Sequence, residues 1–124
     1  MPSLGVTGSR VILDVGQYPI LQQTRSKILR NEGYLVLEVG TDMEFSEQLA
    51  NGDFDLAILC DSLSLSKQRK MALMIVQHRP LTPVLVLAPG LITEYDFGTL
   101  TVKNEPQSFL AAVAKLLRLF QPAN

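Results

Sequence analysis

The residue that first invites a chemical reading is Cys60, which follows the apolar run Leu56–Leu59. The carboxyl end of a buried strand is where open α/β sheets place their reacting groups. A phosphatase-type thiol loop would need an arginine six positions on to hold phosphate with a bidentate fork, and that position is Ser66. Cys60 is the only cysteine and His78 the only histidine, which excludes a disulfide scaffold and a structural zinc site of the usual kind. Cys60 is therefore read as a small buried apolar residue. A thiol-dependent or small-ligand-binding enzyme using Cys60 stays open as an alternative.

The charged candidates are few. Asp14 lies inside the apolar run Val11–Val15, where an unpaired carboxylate is costly, so it must find a donor or lie at the strand's end. Asp61 follows Cys60, and Lys103 closes the short run 100–102. Lys67, Arg69 and Lys70 form a basic cluster at the start of a helical pattern, the end that the helix dipole disfavours for cations, and read as a solvated face. His78, before Arg79 and Pro80, reads as an exposed residue closing that helix. Gly16 and Gly40 each follow a strand, but neither belongs to a G-x-G-x-x-G run, so no dinucleotide site is indicated.

The elements that position these groups follow from the apolar pattern. Short β-branched runs at 11–15, 35–39, 56–59, 84–87 and 100–102 alternate with helical patterns at 19–32, 43–50, 67–77 and 107–120. The runs at 56–59 and 84–87 are continuously apolar, as strands buried on both faces are, which favours a parallel sheet covered by helices on both sides. Pro19 and Pro106 suit first helical turns, and Gly33 sits where a C-terminal cap is expected. The alternation gives an α/β doubly wound domain. One connection departs from it. Pro89, Gly90 and Gly98 break the stretch before Leu100, leaving 91–97 room for at most about two turns, so the fourth helix is expected to be shortened or absent.

Composition sets the outer limits. The chain has 124 residues, 11 Lys and Arg against 12 Asp and Glu, and is 47% hydrophobic and 19% charged, which suits one domain with a full core. A net charge of -1 without a helix-turn-helix pattern argues against direct nucleic-acid binding. No apolar run reaches the roughly 18 residues that span a bilayer, and residues 1–9 do not form a secretory signal. The expectation is a cytoplasmic protein with a flexible arm at 1–9, a domain at 10–120 and a tail at 121–124, with no membrane association, cofactor or bound metal.

In this setting several segments resemble the response-regulator receiver domain of the chemotaxis type. The opening 10–15, Pro19 and the helix ending at Asn31, Glu32, Gly33 and Tyr34 are similar to that family's first strand and helix. Residues 55–59 resemble its third strand, and Thr82 and Pro83 leading into 84–87 resemble its fourth. Val102 and Lys103, then Pro106 and the apolar helix to Arg118, resemble its fifth strand, lysine and last helix. The likeness covers residues 10–120 and implies a flavodoxin-like five-stranded parallel sheet of order 2-1-3-4-5.

The resemblance also implies a pocket. In receivers an aspartate after the third strand accepts a phosphoryl group, two acids after the first strand hold Mg²⁺, and a Ser or Thr and a Lys contact the phosphoryl oxygens. Position by position, the acceptor falls on Cys60, the acidic pair on Gly16 and Gln17, the hydroxyl on Ala88, and only Lys103 matches. Asp14 would supply an acid if the first loop carried an insertion, and Asp61 would replace Cys60 if the third strand slipped by one. Such a slip turns a side chain to the other face. The chain is thus expected to be a degenerate pseudo-receiver, with a still-phosphorylatable receiver as an alternative. Lys103 is expected to pair with Asp14 or Asp61, or else to retain anion binding.

The apolar excess has an address. Residues 71–76 form six apolar positions without a break, and only Lys115 and Arg118 are charged between Phe109 and Phe120. In the resembled family the fourth helix, fifth strand and fifth helix form the usual dimer and output face. The expected interface therefore comprises Met71, Met74, Ile75, Leu100, Phe109, Val113, Leu116, Leu119 and Phe120, beside sheet uncovered by the trimmed crossover. The function expected is a phosphorylation-independent interaction or dimerisation module in signal transduction or transcriptional regulation. It would act as a homodimer, or with a signalling protein partner, and not as an enzyme.

Overall fold

A computed structural model describes residues 9–89 and 95–120. The chain runs β1 (Val11–Val15), α1 (Pro19–Asn31), β2 (Leu35–Val39), α2 (Asp42–Asn51), β3 (Leu56–Leu59), α3 (Leu65–His78), β4 (Val84–Ala88), β5 (Leu100–Lys103) and α4 (Pro106–Leu119). The five strands form one parallel sheet of order 2-1-3-4-5. Strand positions match the apolar runs of the sequence to within one residue.

The central strands show why. Every residue of β3 and β4 is buried, and alternate residues feed opposite cores. Ala57, Leu59, Val84 and Val86 pack under α2 and α3 with Phe45, Leu49, Met71, Ala72 and Ile75. Leu56, Ile58, Leu85 and Leu87 pack under α1 and α4 with Leu29, Phe109, Val113, Leu116 and Leu117. A period of two thus divides one apolar run between two layers. Each fully buried Leu or Ile contributes about 1.5–3 kcal/mol of hydrophobic stabilisation.

Local signals set the helix ends. Thr41 and Glu44 form a reciprocal capping box at the start of α2, and the Ser64 hydroxyl accepts from the Lys67 backbone N–H at 3.2 Å to start α3. Gly33, at φ 97°, ends α1 in a Schellman arrangement, its N–H bonded to Arg30 O and that of Tyr34 to Leu29 O.

The fourth crossover holds no helix among its described residues, 95–99; the rest of the stretch at 90–94 lies outside the described residues, as do the terminal segments 1–8 and 121–124. The expectation that a short crossover uncovers part of the sheet holds only at β5, whose Leu100, Thr101 and Val102 are half-buried and Lys103 exposed; β4 stays covered. Val84 and Val86 are fully buried, and Tyr95 and Phe97, stacked with ring centroids 5.2 Å apart, pack against the same core. Gly98 lets the chain come this close. Its φ of +80° is left-handed, and a Cβ there would sit 2.6 Å from Val86 Cγ2. Arg69 fastens the segment from α3, 2.8 Å from Asp96 and 5.0 Å from the centre of the Phe97 ring.

The expected interface is likewise corrected. Met71, Ile75, Phe109, Val113 and Leu116 are core residues no more than 4% exposed, because they form the inward stripes of α3 and α4. Met74 and Leu100 are half-buried against the two cores. Only Leu119 and Phe120 of that set face outward, while α3 exposes Leu73 and Val76 instead.

Candidate functional site

The carboxyl ends of β1 and β3 meet where the strand order reverses, the crevice in which open α/β sheets bind ligands. Asp14, on β1, is fully buried there. Arg25 reaches it from α1, donating Nε to Oδ2 at 2.8 Å and Nη2 to Oδ1 at 2.7 Å. Arg25 is itself only 3% exposed. Burial pushes the Asp14 carboxyl up, against the pull of the Arg25 hydrogen bonds and charge, while the carboxylate raises the Arg25 guanidinium above its usual range. The short two-pronged geometry is the one a carboxylate makes with a guanidinium.

The remaining positions lie around this pair, from buried to exposed. Gly16 is buried, and a Cβ on it would lie 3.4 Å from Cys60 Cβ and 3.5 Å from Arg25 Nη2. Gln17 is exposed, and its backbone N–H donates to Ser62 Oγ at 3.0 Å, bridging the loops that follow β1 and β3. Cys60 is 3% exposed and directs its thiol to Asp61 Oδ1 at 3.4 Å. Asp61 is half-buried and accepts a second bond from Asn104 Nδ2 at 3.0 Å. Ala88 is fully buried and offers no hydroxyl.

Lys103 lies elsewhere than expected. Its Nζ is 3.8 Å from Glu105 and its side chain is about half exposed. The expected pairing with Asp14 or Asp61 is corrected, because Arg25 occupies both oxygens of the first and Asn104 binds the second. The basic cluster on α3 lies on a solvated face as expected, with Arg69 and Lys70 exposed and surface ion pairs along it. Lys67 pairs with Asp42 at 2.9 Å, and Arg69 with Asp96. His78 is exposed, its Nδ1 lying 3.0 Å from Met74 O in the last turn of α3.

Arg25 is the site residue that apolar periodicity misses. The inward positions of α1 are Gln22, Arg25, Ser26 and Leu29, spaced as one helical stripe yet mostly polar. Ile20 and Leu21, which an amphipathic reading would turn inward, are 79% and 59% exposed. The usable signal was a basic residue at helical spacing from a C-terminal core leucine, on the helix that follows an aspartate-bearing strand.

The divalent cation of receiver chemistry does not fit this donor set. Magnesium favours hard oxygen ligands in near-octahedral geometry. Both Asp14 oxygens are committed to Arg25, and among the described residues no three His, Cys, Asp or Glu side chains come together. The buried cation beside Asp14 and Gly16 is the guanidinium of Arg25, which the chain carries itself.

No family model and no curated protein matches the sequence. Solved structures do match. A CheY-like response regulator receiver domain protein from Methanospirillum hungatei is 18% identical, with a TM-score of 0.80 over 92% of this chain and 98% of its own. A two-component response regulator from Clostridium difficile is 16% identical, with a TM-score of 0.77 over 92% of this chain and 100% of its own. A chain from a complex of a histidine kinase with a response regulator protein is 20% identical, with a TM-score of 0.76 over 87% and 98%. The chain therefore has the fold of CheY-like receiver domains across most of its length, and the strand order inferred from the sequence is the one observed.

Proposed function

We propose that this domain is a phosphorylation-independent pseudo-receiver, an interaction module in signal transduction or transcriptional regulation. The receiver fold supports the signalling role. The observation that carries the finer reading is the buried Asp14–Arg25 pair, which spends one of the two pocket acids, Asp14, on an internal cation and leaves only Asp61. Cys60 and Ala88, at the acceptor and hydroxyl positions, support the same reading. No catalytic activity is assigned: the thiol is buried against Asp61, without an arginine six positions on to hold a phosphate.

The functional unit in this proposal is residues 10–120, working in the cytoplasm, with 1–9 as an arm and 121–124 as a tail. Among the described residues no helix is long and apolar enough to cross a membrane. The module acts as a homodimer or with a signalling protein partner. The homodimer reading is supported by Leu119 and Phe120, 64% and 38% exposed at the end of α4. Similarity to a chain from a histidine kinase–response regulator complex supports the signalling partner.

Incubation with acetyl phosphate and Mg²⁺, followed by intact-mass measurement, tests the proposal. The expected result is no added phosphoryl group. Phosphorylation that disappears in Asp61→Asn would identify a working receiver and overturn the reading.

A further inference from the structure

Two buried glutamines at the same edge of the sheet remain unexplained by the pocket. Gln22 of α1 and Gln68 of α3 are 5% and 2% exposed, and they come from helices on opposite faces of the sheet. Each directs its amide nitrogen at the carboxyl ends of two neighbouring strands. Gln22 Nε2 donates to Asp14 O at 2.7 Å and Val39 O at 3.0 Å, joining β1 to β2. Gln68 Nε2 lies 3.0 Å from Cys60 O, 3.0 Å from Leu87 O and 3.2 Å from Leu59 O, joining β3 to β4.

Backbone bonds run through these two points and beyond them. The Gly16 N–H donates to Val39 O, the Cys60 N–H to Val15 O at 2.9 Å and the Asn104 N–H to Ala88 O at 3.2 Å. Strand ends in a ligand-binding α/β sheet ordinarily leave carbonyls free for a ligand, water or a moving loop. Here side chains of the flanking helices give these carbonyls a donor, at Val39 O in addition to the backbone one, in a water-poor setting where an unmade hydrogen bond is costly.

We propose that Gln22 and Gln68 are a matched two-point clamp that holds the carboxyl edge of the sheet in one conformation. This rests on the phosphorylation-independent reading and deepens it, naming the side chains that hold a switch region still. Because each clamp residue belongs to a helix, the device also fixes α1 and α3 relative to the sheet. Their outward apolar residues, Ile20 and Leu21 on one and Leu73 and Val76 on the other, are thereby presented at constant spacing.

Native-state amide exchange on Gln68→Met and Gln22→Met tests the clamp, since methionine keeps the length and apolar stem but removes the donor. Gln68→Met is expected to accelerate exchange at Cys60 and Asn104 more than tenfold beyond any change at Ile58 and Leu85. Gln22→Met is expected to do the same at Gly16. A uniform change across all amides, or none, would reduce both residues to ordinary packing and overturn the proposal. If a variant does not fold, the wild-type side-chain amides decide. Slowly exchanging, shifted Nε2 protons of Gln22 and Gln68 support the clamp, and rapidly exchanging protons at random-coil positions contradict it. Either failure would leave the acetyl phosphate result unaffected, so the clamp and the pseudo-receiver reading fail separately.

Discussion

Arg25 and Asp14 form a two-bonded ion pair, at 2.8 and 2.7 Å, with neither residue more than 3% exposed. It joins the first helix to the first strand beside Gly16, whose Cβ position lies 3.5 Å from Arg25 Nη2. Removing one partner strands a buried charge. Arg25→Met is expected to lower unfolding free energy by about 3–5 kcal/mol, whereas Asp14→Leu together with Arg25→Met should recover most of that loss. Urea denaturation of the three proteins measures the difference; a cost below about 1 kcal/mol for Arg25→Met would mean that the pair is not held as described.

Gly98 and Gly33 both adopt positive φ, at 80° and 97°, but only Gly98 faces a neighbour. Gly33→Ala should cost about 1 kcal/mol for the left-handed backbone alone. Gly98→Ala must also displace Val86 Cγ2, 2.6 Å from the new Cβ, and should cost about 1–3 kcal/mol more through overpacking. Thermal or urea melts that rank the two variants equally would show that the crossover does not press on β4.

Cys60 should resist alkylation in the native protein, since its thiol is 3% exposed and bonded toward Asp61. Labelling by iodoacetamide at pH 7 is expected to accelerate strongly only when urea unfolds the chain. Native labelling faster than that of a free thiol would return the thiol-enzyme alternative.

The homodimer proposal makes its own demand on α4. Sedimentation equilibrium across a range of protein concentration should show self-association that Leu119→Lys weakens by tenfold or more. A monomer at high micromolar concentration, unchanged by the substitution, would remove this interface.

The fold was legible because it is written in runs that serve two cores at once. Leu56–Leu59 and Val84–Ala88 can be buried on both faces only in a helix-covered parallel sheet. Pro19, Gly33 and Pro106 then mark helix ends through backbone constraints that act locally. The site was legible only as absences, namely Cys60, Gly16, Gln17 and Ala88 where acids and a hydroxyl would stand. What replaced them was hidden, because Arg25, Gln22 and Gln68 act across the sheet edge and an isolated polar residue in a helix normally faces water. The interface erred for a related reason. Six unbroken apolar positions at 71–76 are too many for one helix face, and periodicity does not settle which of them the core takes. Ile75 went inward and Leu73 outward.

The central claim is that Asp14 is committed to an internal guanidinium, and the Arg25 Nε–H resonance reports on it directly. In a nitrogen-15 spectrum at neutral pH that proton should be resolved and protected from solvent exchange. It should stay unmoved, along with the Asp14 and Cys60 amides, as Mg²⁺ is added to millimolar concentration with beryllofluoride. Saturable Mg²⁺-dependent shifts at those three residues, with loss of the protected Arg25 signal, would contradict the account.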